Sequence, residues 1–267
     1  MATRISDLID FLNQVAPGYL QEDYDNAGLI IGDSLRQITG VLVTLDSTEE
    51  VVDEAVRLGC NLIIAHHPIV FRGLKRINGN NYIERTVIKA IKHDVAIFAI
   101  HTNLDKVFTS GVNTKIAEKI GLTQLEILQP VPGQDHNGSR TGAGMTGYLN
   151  TPMDTYDFFG YLKQCMELQV IRHTEVCRPR VHKVAVCGGS GSFLLQDAIR
   201  SQADIYITAD FKYHEFFDAD RRIIIADIGH YESEKFTIEL LYHLIINNFS
   251  NFAAHYTKVN TNPVKFY

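Results

Sequence analysis

The sequence predicts an α/β protein made of two lobes, each a largely parallel sheet covered by helices. Three observations carry this reading. Short β-branched and aliphatic runs recur along the chain, stretches of helical periodicity separate them, and the alternation resumes after a break at residues 122–152. Strands that alternate with helices need crossover connections, which set neighbouring strands parallel and cover both faces of the sheet.

Taken in order, Ile5, Leu8, Ile9 and Leu12 fall at helical spacing and predict an amphipathic first helix. ITGVLVTLD (38–46) reads as a strand ending at Asp46. STEEVVDEAVRLG follows as a helix that Ser47 or Thr48 can cap and Gly59 stops. NLIIA (61–65) and VAIFAI (95–100) are strands, and YIERTVIKAIKHD (82–94) and GVNTKIAEKIG (111–121) are helices. Prolines and glycines then interrupt the rhythm, with GSRTGAGMTGYL reading as a loop that leads into a separate strand. Beyond it come a helix near 154–166, the strands LQVIRH and HKVAVC, a helix after GGSGS, the strands ADIYITA and RRIIIAD, and a last helix from HYESEKFTIELLYHLI. The expected organisation is a first lobe over 1–125, a connector over 126–152 with no large insert, and a second lobe over 153–267.

Composition narrows the function. A chain of 267 residues, 45% of them hydrophobic, can bury a substantial core. Its 25 basic and 31 acidic residues give a net charge of −6, so no global field favours duplex nucleic acid or anionic lipid. MATRISDLIDFLNQ lacks the apolar run of a secretory signal, and no stretch approaches the roughly 18 apolar residues of a membrane span, so a cytoplasmic protein without membrane contact is expected. Cys60, Cys165, Cys177 and Cys187 form no CxxC pair and read as reduced, mostly buried thiols.

In open parallel sheets, ligands gather outside the carboxyl ends of the strands. His66-His67-Pro68 follows NLIIA; His101-Thr102-Asn103-Leu104-Asp105 follows VAIFAI; Gly229-His230, then Glu232 and Glu234, follow RRIIIAD. One such histidine would read as a hydrogen-bonded strand cap. Three clusters at equivalent positions, all offering nitrogen and oxygen, predict a metal site. His230 and Glu234 are four residues apart at the start of the last helix and share one face, and His101 and Asp105 have the same spacing. His66 and His67 can share a site only if the strand ends before them, which Pro68 favours. Four imidazoles and two carboxylates exceed what one tetrahedral zinc requires. They suit two divalent ions, about 3.5–4 Å apart, with Zn, Mn, Fe, Ni and Co all compatible. Glu232 points elsewhere on its helix and is not assigned as a ligand.

IIAHHPIVF, HTNLD and GHYESE resemble the family named GTP cyclohydrolase 1 type 2, or NIF-three-like, proteins. YDNAGLIIGD, TLDST, GGSGSF and TADFKYHEF extend the resemblance over nearly the whole chain. It implies a dinuclear metal site at the interface of the two lobes, formed by residues matching His66, His67, His101, Asp105, His230 and Glu234. It also implies a homohexameric ring, a dimer of trimers or trimer of dimers, in the short form that lacks an inserted domain.

The function expected is a hydrolase with two divalent metal ions per chain. It would use metal-activated water on a nucleotide-like or phosphorylated small molecule, GTP cyclohydrolase-type by resemblance. The alternative is a metal-stabilised regulatory or scaffold protein acting through protein partners. Single-stranded nucleic acid in the pore of a ring would call for a basic-aromatic stripe that the sequence lacks. Smaller expectations concern the loop Gly188, Gly189 and Gly191, whose amides would cradle a substrate phosphate or simply make a tight turn. His214 is expected as a catalytic acid or base, or else as part of a solvated helix face. Asp46 and Asp25-Asn26 line the same cleft or cap helices.

Overall fold

The computed structural model describes residues 2–267, and side chains throughout that span except those of Gln134 and Ser139. The chain forms two compact units. One comprises the residues up to Leu104 together with Thr237–Lys265, and the other Asp105–Phe236 with Phe266–Tyr267.

In the first unit, α1 (Ile5–Val15) buries Ile5, Leu8 and Leu12 on one face, as their spacing requires. Strands β1 (Gly28–Ile31), β2 (Gly40–Thr44), β3 (Leu62–Ala65) and β4 (Ala96–Ala99) are joined near the C-terminus by β11 (Ala253–Tyr256), in the order β1-β4-β3-β2-β11. All neighbours run parallel except β1, which is antiparallel to β4. Every residue of β2, β3 and β4 is buried, which explains their continuous apolar runs. Helix α2 (Glu49–Arg57) starts where Thr48 Oγ1 accepts from Val51 N, and α3 (Tyr82–Lys92) where the Asn81 side chain accepts from Glu84 N. Their apolar faces supply Val51, Val52, Val87 and Ala90 to a core that includes Leu42, Ile63 and Ile97. Glu54 of α2 is buried and accepts from Thr257 Oγ1 and from Lys258 N (3.1 Å), which fastens the chain after β11.

The sheet of the second unit contains β5 (Thr123–His136), β6 (Ser139–Asp154), β7 (Arg172–His173), β8 (Arg180–Ser190), β9 (Ile205–Ala209) and β10 (Ile224–Asp227), in the order β5-β6-β8-β9-β10-β7. Its centre, β8-β9-β10, is parallel, and antiparallel strands extend it on both sides. Helices α5 (Val112–Ile120), α6 (Thr155–Cys165), α7 (Leu195–Arg200) and α8 (His230–Glu234) pack on it. The short α4 (Thr102–Asp105) lies at one junction with the first unit, and α9 (Thr237–Asn248) begins at the other.

Both units are mixed α/β structures with helix-covered sheets, as the alternation predicts. The division of the chain differs from the sequence reading. Residues 126–152 form most of the β5–β6 hairpin rather than a connector. Their glycines serve close strand packing: a Cβ on Gly142 would collide with the Gln129 carbonyl oxygen across the hairpin. Residues 237–265 belong to the first unit, because β11 completes its sheet against β2. LQVIRH contributes only Arg172–His173, paired to β10, and the last helical stretch is two helices, α8 and α9.

Candidate metal centre

Strand β3 ends at Ala65, and the chain stays alongside β2 for two more residues, His66 N bonding Thr44 O (3.2 Å) and His67 N bonding Leu45 O (2.9 Å). Both imidazoles therefore sit at the carboxyl end of the sheet, with ring centroids 4.9 Å apart. His101 follows β4 one strand over, and its ring lies 5.3 Å from that of His66 and 5.2 Å from that of His67. A ligand atom from each of the three falls within 4.8 Å of the others, close enough for a single cation.

Each of these rings is aimed by an oxygen acceptor on Nδ1. His66 is fully buried, and its Nδ1 lies 2.8 Å from the Ile100 carbonyl; a carbonyl only accepts, so the proton sits on Nδ1 and the lone pair on Nε2. His67 Nδ1 pairs with Asp46 Oδ1 at 2.8 Å, and Thr261 Oγ1 donates to the other oxygen of Asp46 at 2.7 Å. The register explains the pairing: Thr44 faces Ala65, so Asp46 and His67, each two residues further on, meet. His101 Nδ1 pairs with Asp25 Oδ1 at 2.7 Å. Because β1 runs antiparallel with Gly28 opposite Ala99, the segment preceding β1 is delivered to the end of β4, beside His101. Burial alone would raise the Asp25 carboxyl, but hydrogen bonds from His101 and Thr102 outweigh it and hold the pKa at about 2.

The second unit carries its own cluster on the same plan. His230 opens α8 just past the end of β10, and its Nδ1 lies 2.7 Å from Asp210, the first residue after β9. Its Nε2 lies 3.1 Å from Oε2 of Glu234, one helical turn on and 3% exposed. Burial opposes charge on this imidazole, yet the carboxylates of Asp210 and Glu234 raise its pKa to about 11. The hydrogen bond from His230, against the effect of burial, lowers that of Asp210. Glu234 also nestles against the backbone of β8: a Cβ on Gly189 would collide with its Oε1, and φ of +63° there is open to glycine. Asp105, at the end of α4, shares its neighbourhood with Glu234. Burial pushes the Cys187 thiol strongly upward, and the charges of Asp105 and Glu234 add to the effect.

Two expectations find different surroundings. The amides of Gly188 and Gly189 donate to Asn113 Oδ1 (3.0 Å) and Ser233 Oγ (2.9 Å), so these two donors are committed within the protein, where the segment packs against Glu234. His214 lies exposed on a 3₁₀ turn, Tyr213–Ala219, with its ring beside those of Tyr213 and Phe217. Among the described residues it joins none of the metal-capable groups. Conversely, sequence reasoning passed over Asp210. Its signal is a carboxylate directly after a strand of the parallel core, the position that singled out Asp46.

The described helices include none long and apolar enough to cross a membrane. Residues 3–263 match the family described as Duf34/NIF3 (NGG1p interacting factor 3). A Clostridium perfringens protein named GTP cyclohydrolase 1 type 2 homolog is 33% identical over 232 residues, covering 86% of this chain and 87% of the relative. Its Lactococcus lactis namesake is 33% identical over 234 residues, covering 87% and 88%. The alignment with a Staphylococcus epidermidis relative runs to 366 positions against the 267 residues here, so that relative carries residues without counterpart in this chain. Among solved structures, a Bacillus cereus protein related to NIF3 superposes with a TM-score of 0.91 at 26% identity, with both chains fully covered.

Proposed function

The chain belongs to the Duf34/NIF3 family, and from that premise we propose that it is a metal-dependent hydrolase of a nucleotide-like or phosphorylated small molecule. The proposed ligands are His66, His67 and His101 from the first unit and Asp105, His230 and Glu234 from the second, holding two divalent ions. The observation that carries this is the uniform treatment of the histidines: all four have Nδ1 engaged by an oxygen, from Ile100, Asp46, Asp25 and Asp210 respectively. Such outer partners fix ring orientation and tautomer, and they raise the basicity of the nitrogen left to bind a cation. A hydrogen-bonded strand cap needs no second acceptor of this kind, and its presence on all four histidines of the metal-capable groups favours ligation.

Bound there, divalent ions would supply Lewis acidity and draw the pKa of a coordinated water toward neutrality. The side chains have distinct tasks. Asp25, Asp46 and Asp210 keep the Nδ1 protons in place. Glu234 and Asp105 supply the negative charge that offsets the cations, and Glu234 competes for the Nε2 of His230, which must give up its proton on ligation. Relatives named GTP cyclohydrolase 1 type 2 homolog support a nucleotide as the first substrate class to test. A cytoplasmic homohexameric ring completes the proposal, with the four free cysteines consistent with a reducing setting.

The test is elemental analysis of the dialysed protein joined to a screen of nucleotides, phosphoesters and cyclic amides. About two divalent ions per chain and turnover that a chelator abolishes are expected. A reproducible stoichiometry below one in metal-replete protein overturns the dinuclear assignment. Full occupancy with no turnover of any of the three classes overturns the hydrolase reading in favour of a metal-stabilised scaffold.

A further inference from the structure

The segment that follows the paired histidines, Phe71 to Asn81, contains Arg72, Lys75 and Arg76 within five positions. All three are exposed, and no ion pair or side-chain hydrogen bond engages any of them among the described residues. This sets them apart from the cations next door on α3, where Arg85 pairs with Glu49 and Lys89 with Asp53, both at 2.7 Å. In a chain of net charge −6, three clustered cations left to solvent are an investment in something outside the fold. They line a cavity of about 470 Å³, whose apolar wall is Phe71, Leu74 and Ile83. Phe71 is 48% exposed, and its ring stands edge-on to His101 with centroids 5.6 Å apart. The cavity and the histidine cluster of the first unit thus share a wall.

One carboxylate, Glu84, also lines the cavity, and it is already committed. It is buried and accepts from Asn78 N (3.1 Å), Asn80 N (2.9 Å) and Asn81 Nδ2 (2.8 Å), so it pins the end of the segment to the start of α3. Against its single charge the lining keeps a surplus of two positive charges. An apolar wall for a flat or aliphatic group, a cationic rim and metal-capable histidines beyond Phe71 match a molecule with one anionic and one reactive end.

We propose that Arg72, Lys75 and Arg76 bind the phosphate groups of the substrate and that Phe71 separates them from the reacting end, which is turned toward His66, His67 and His101. This rests on the hydrolase reading above and gives its substrate a chemistry: a small molecule bearing a di- or triphosphate. Guanidinium groups suit phosphate bidentately and lysine serves as a point charge, so each cation adds affinity without needing the metal.

The experiment is calorimetric titration of the full-length, metal-replete protein with inorganic tripolyphosphate, repeated on Arg72→Ala, Lys75→Ala and Arg76→Ala, and on Lys89→Ala as a control for a paired cation. Arg72, Lys75 and Arg76 are exposed and Lys89 is half-buried, and circular dichroism checks the fold of each variant. Expected is a loss on the order of tenfold in affinity for each of the first three variants, with Lys89→Ala unchanged. The titration is repeated on metal-stripped protein. Binding that vanishes on stripping yet ignores the three substitutions means that the ions alone hold phosphate, which overturns this proposal and leaves the metal reading intact. Substitutions that weaken tripolyphosphate in a protein that binds no metal sink the hydrolase reading while the phosphate site stands. Binding of a single-stranded oligonucleotide but not tripolyphosphate overturns the proposal in favour of a nucleic-acid surface.

Discussion

Asp25 and His101 are separated by 76 positions in sequence and joined by a 2.7 Å hydrogen bond from Nδ1 to Oδ1. The carboxylate side chain is fully screened from solvent and takes two further bonds from Thr102, one from the backbone N–H and one from the hydroxyl. A carboxylate that accepts on both oxygens stays ionised and holds the imidazole in one orientation, with Nε2 turned outward.

Asp25→Asn is therefore expected to leave the fold intact and to weaken metal binding by about 10–100-fold, the usual cost of losing a carboxylate behind a ligating histidine. Competition with a chromophoric chelator measures it. Unchanged affinity would mean that His101 is not a ligand.

The carboxylates proposed as direct ligands should behave more severely. Asp105→Ala and Glu234→Ala remove negative charge that offsets the cations, and occupancy should fall to about one ion per chain or fewer while helical circular dichroism is retained. Metal content, spectrum and turnover should be read on one preparation of each. Full occupancy in both variants contradicts the ligand assignment.

Gly189→Ala probes the support of Glu234. A left-handed alanine costs roughly 1–2 kcal/mol, and the added methyl displaces Oε1 as well. Urea denaturation should show the first effect and reduced metal affinity the second. A variant with lowered stability and undiminished metal binding would place Glu234 outside the site.

Acid should uncouple the Asp25 contact. Its pKa in the fold is about 2 against an ordinary 3.8, so the carboxylate form is the one the fold favours. The contribution is present above 3.8 and is lost as pH falls toward 2; by linkage it amounts to about 2 kcal/mol at most. The stability gap between the parent protein and Asp25→Asn should be wider at about pH 6 than at about pH 3. A gap that does not change with pH rules out this origin.

How much of this was legible in the sequence depended on whether the signal was local. The buried strands GVLVT, LIIA and AIFA and the histidines after two of them announce themselves, because burial on both faces writes a continuous apolar run and the strand end is where it stops. The outer partners are harder. Asp25 and Asp46 stood out only as carboxylates near strands, since their roles depend on the antiparallel set of β1 and on the register of β2 with β3. Asp210 was overshadowed by the more conspicuous Lys-Tyr-His-Glu run that follows it. The β5–β6 hairpin was hidden by its prolines and glycines, and its register shifts twice. Strand β11 is four residues with no buried face of its own, and only its pairing with β2 makes it a strand.

The late return of the chain to its first sheet has a consequence for synthesis. While residues 105–236 emerge from the ribosome, β2 presents an open edge, and Glu54 waits without the hydroxyl of Thr257 and the amide of Lys258. Apart from Phe266–Tyr267, the second unit is one uninterrupted segment, Asp105–Phe236, and can close before the first is complete, in keeping with domains folding as units in order of appearance. A nascent chain halted near Phe236 would carry an unpaired parallel strand, a template for association with other chains. Residues 253–256 thus decide whether the histidine-bearing sheet is protected or exposed.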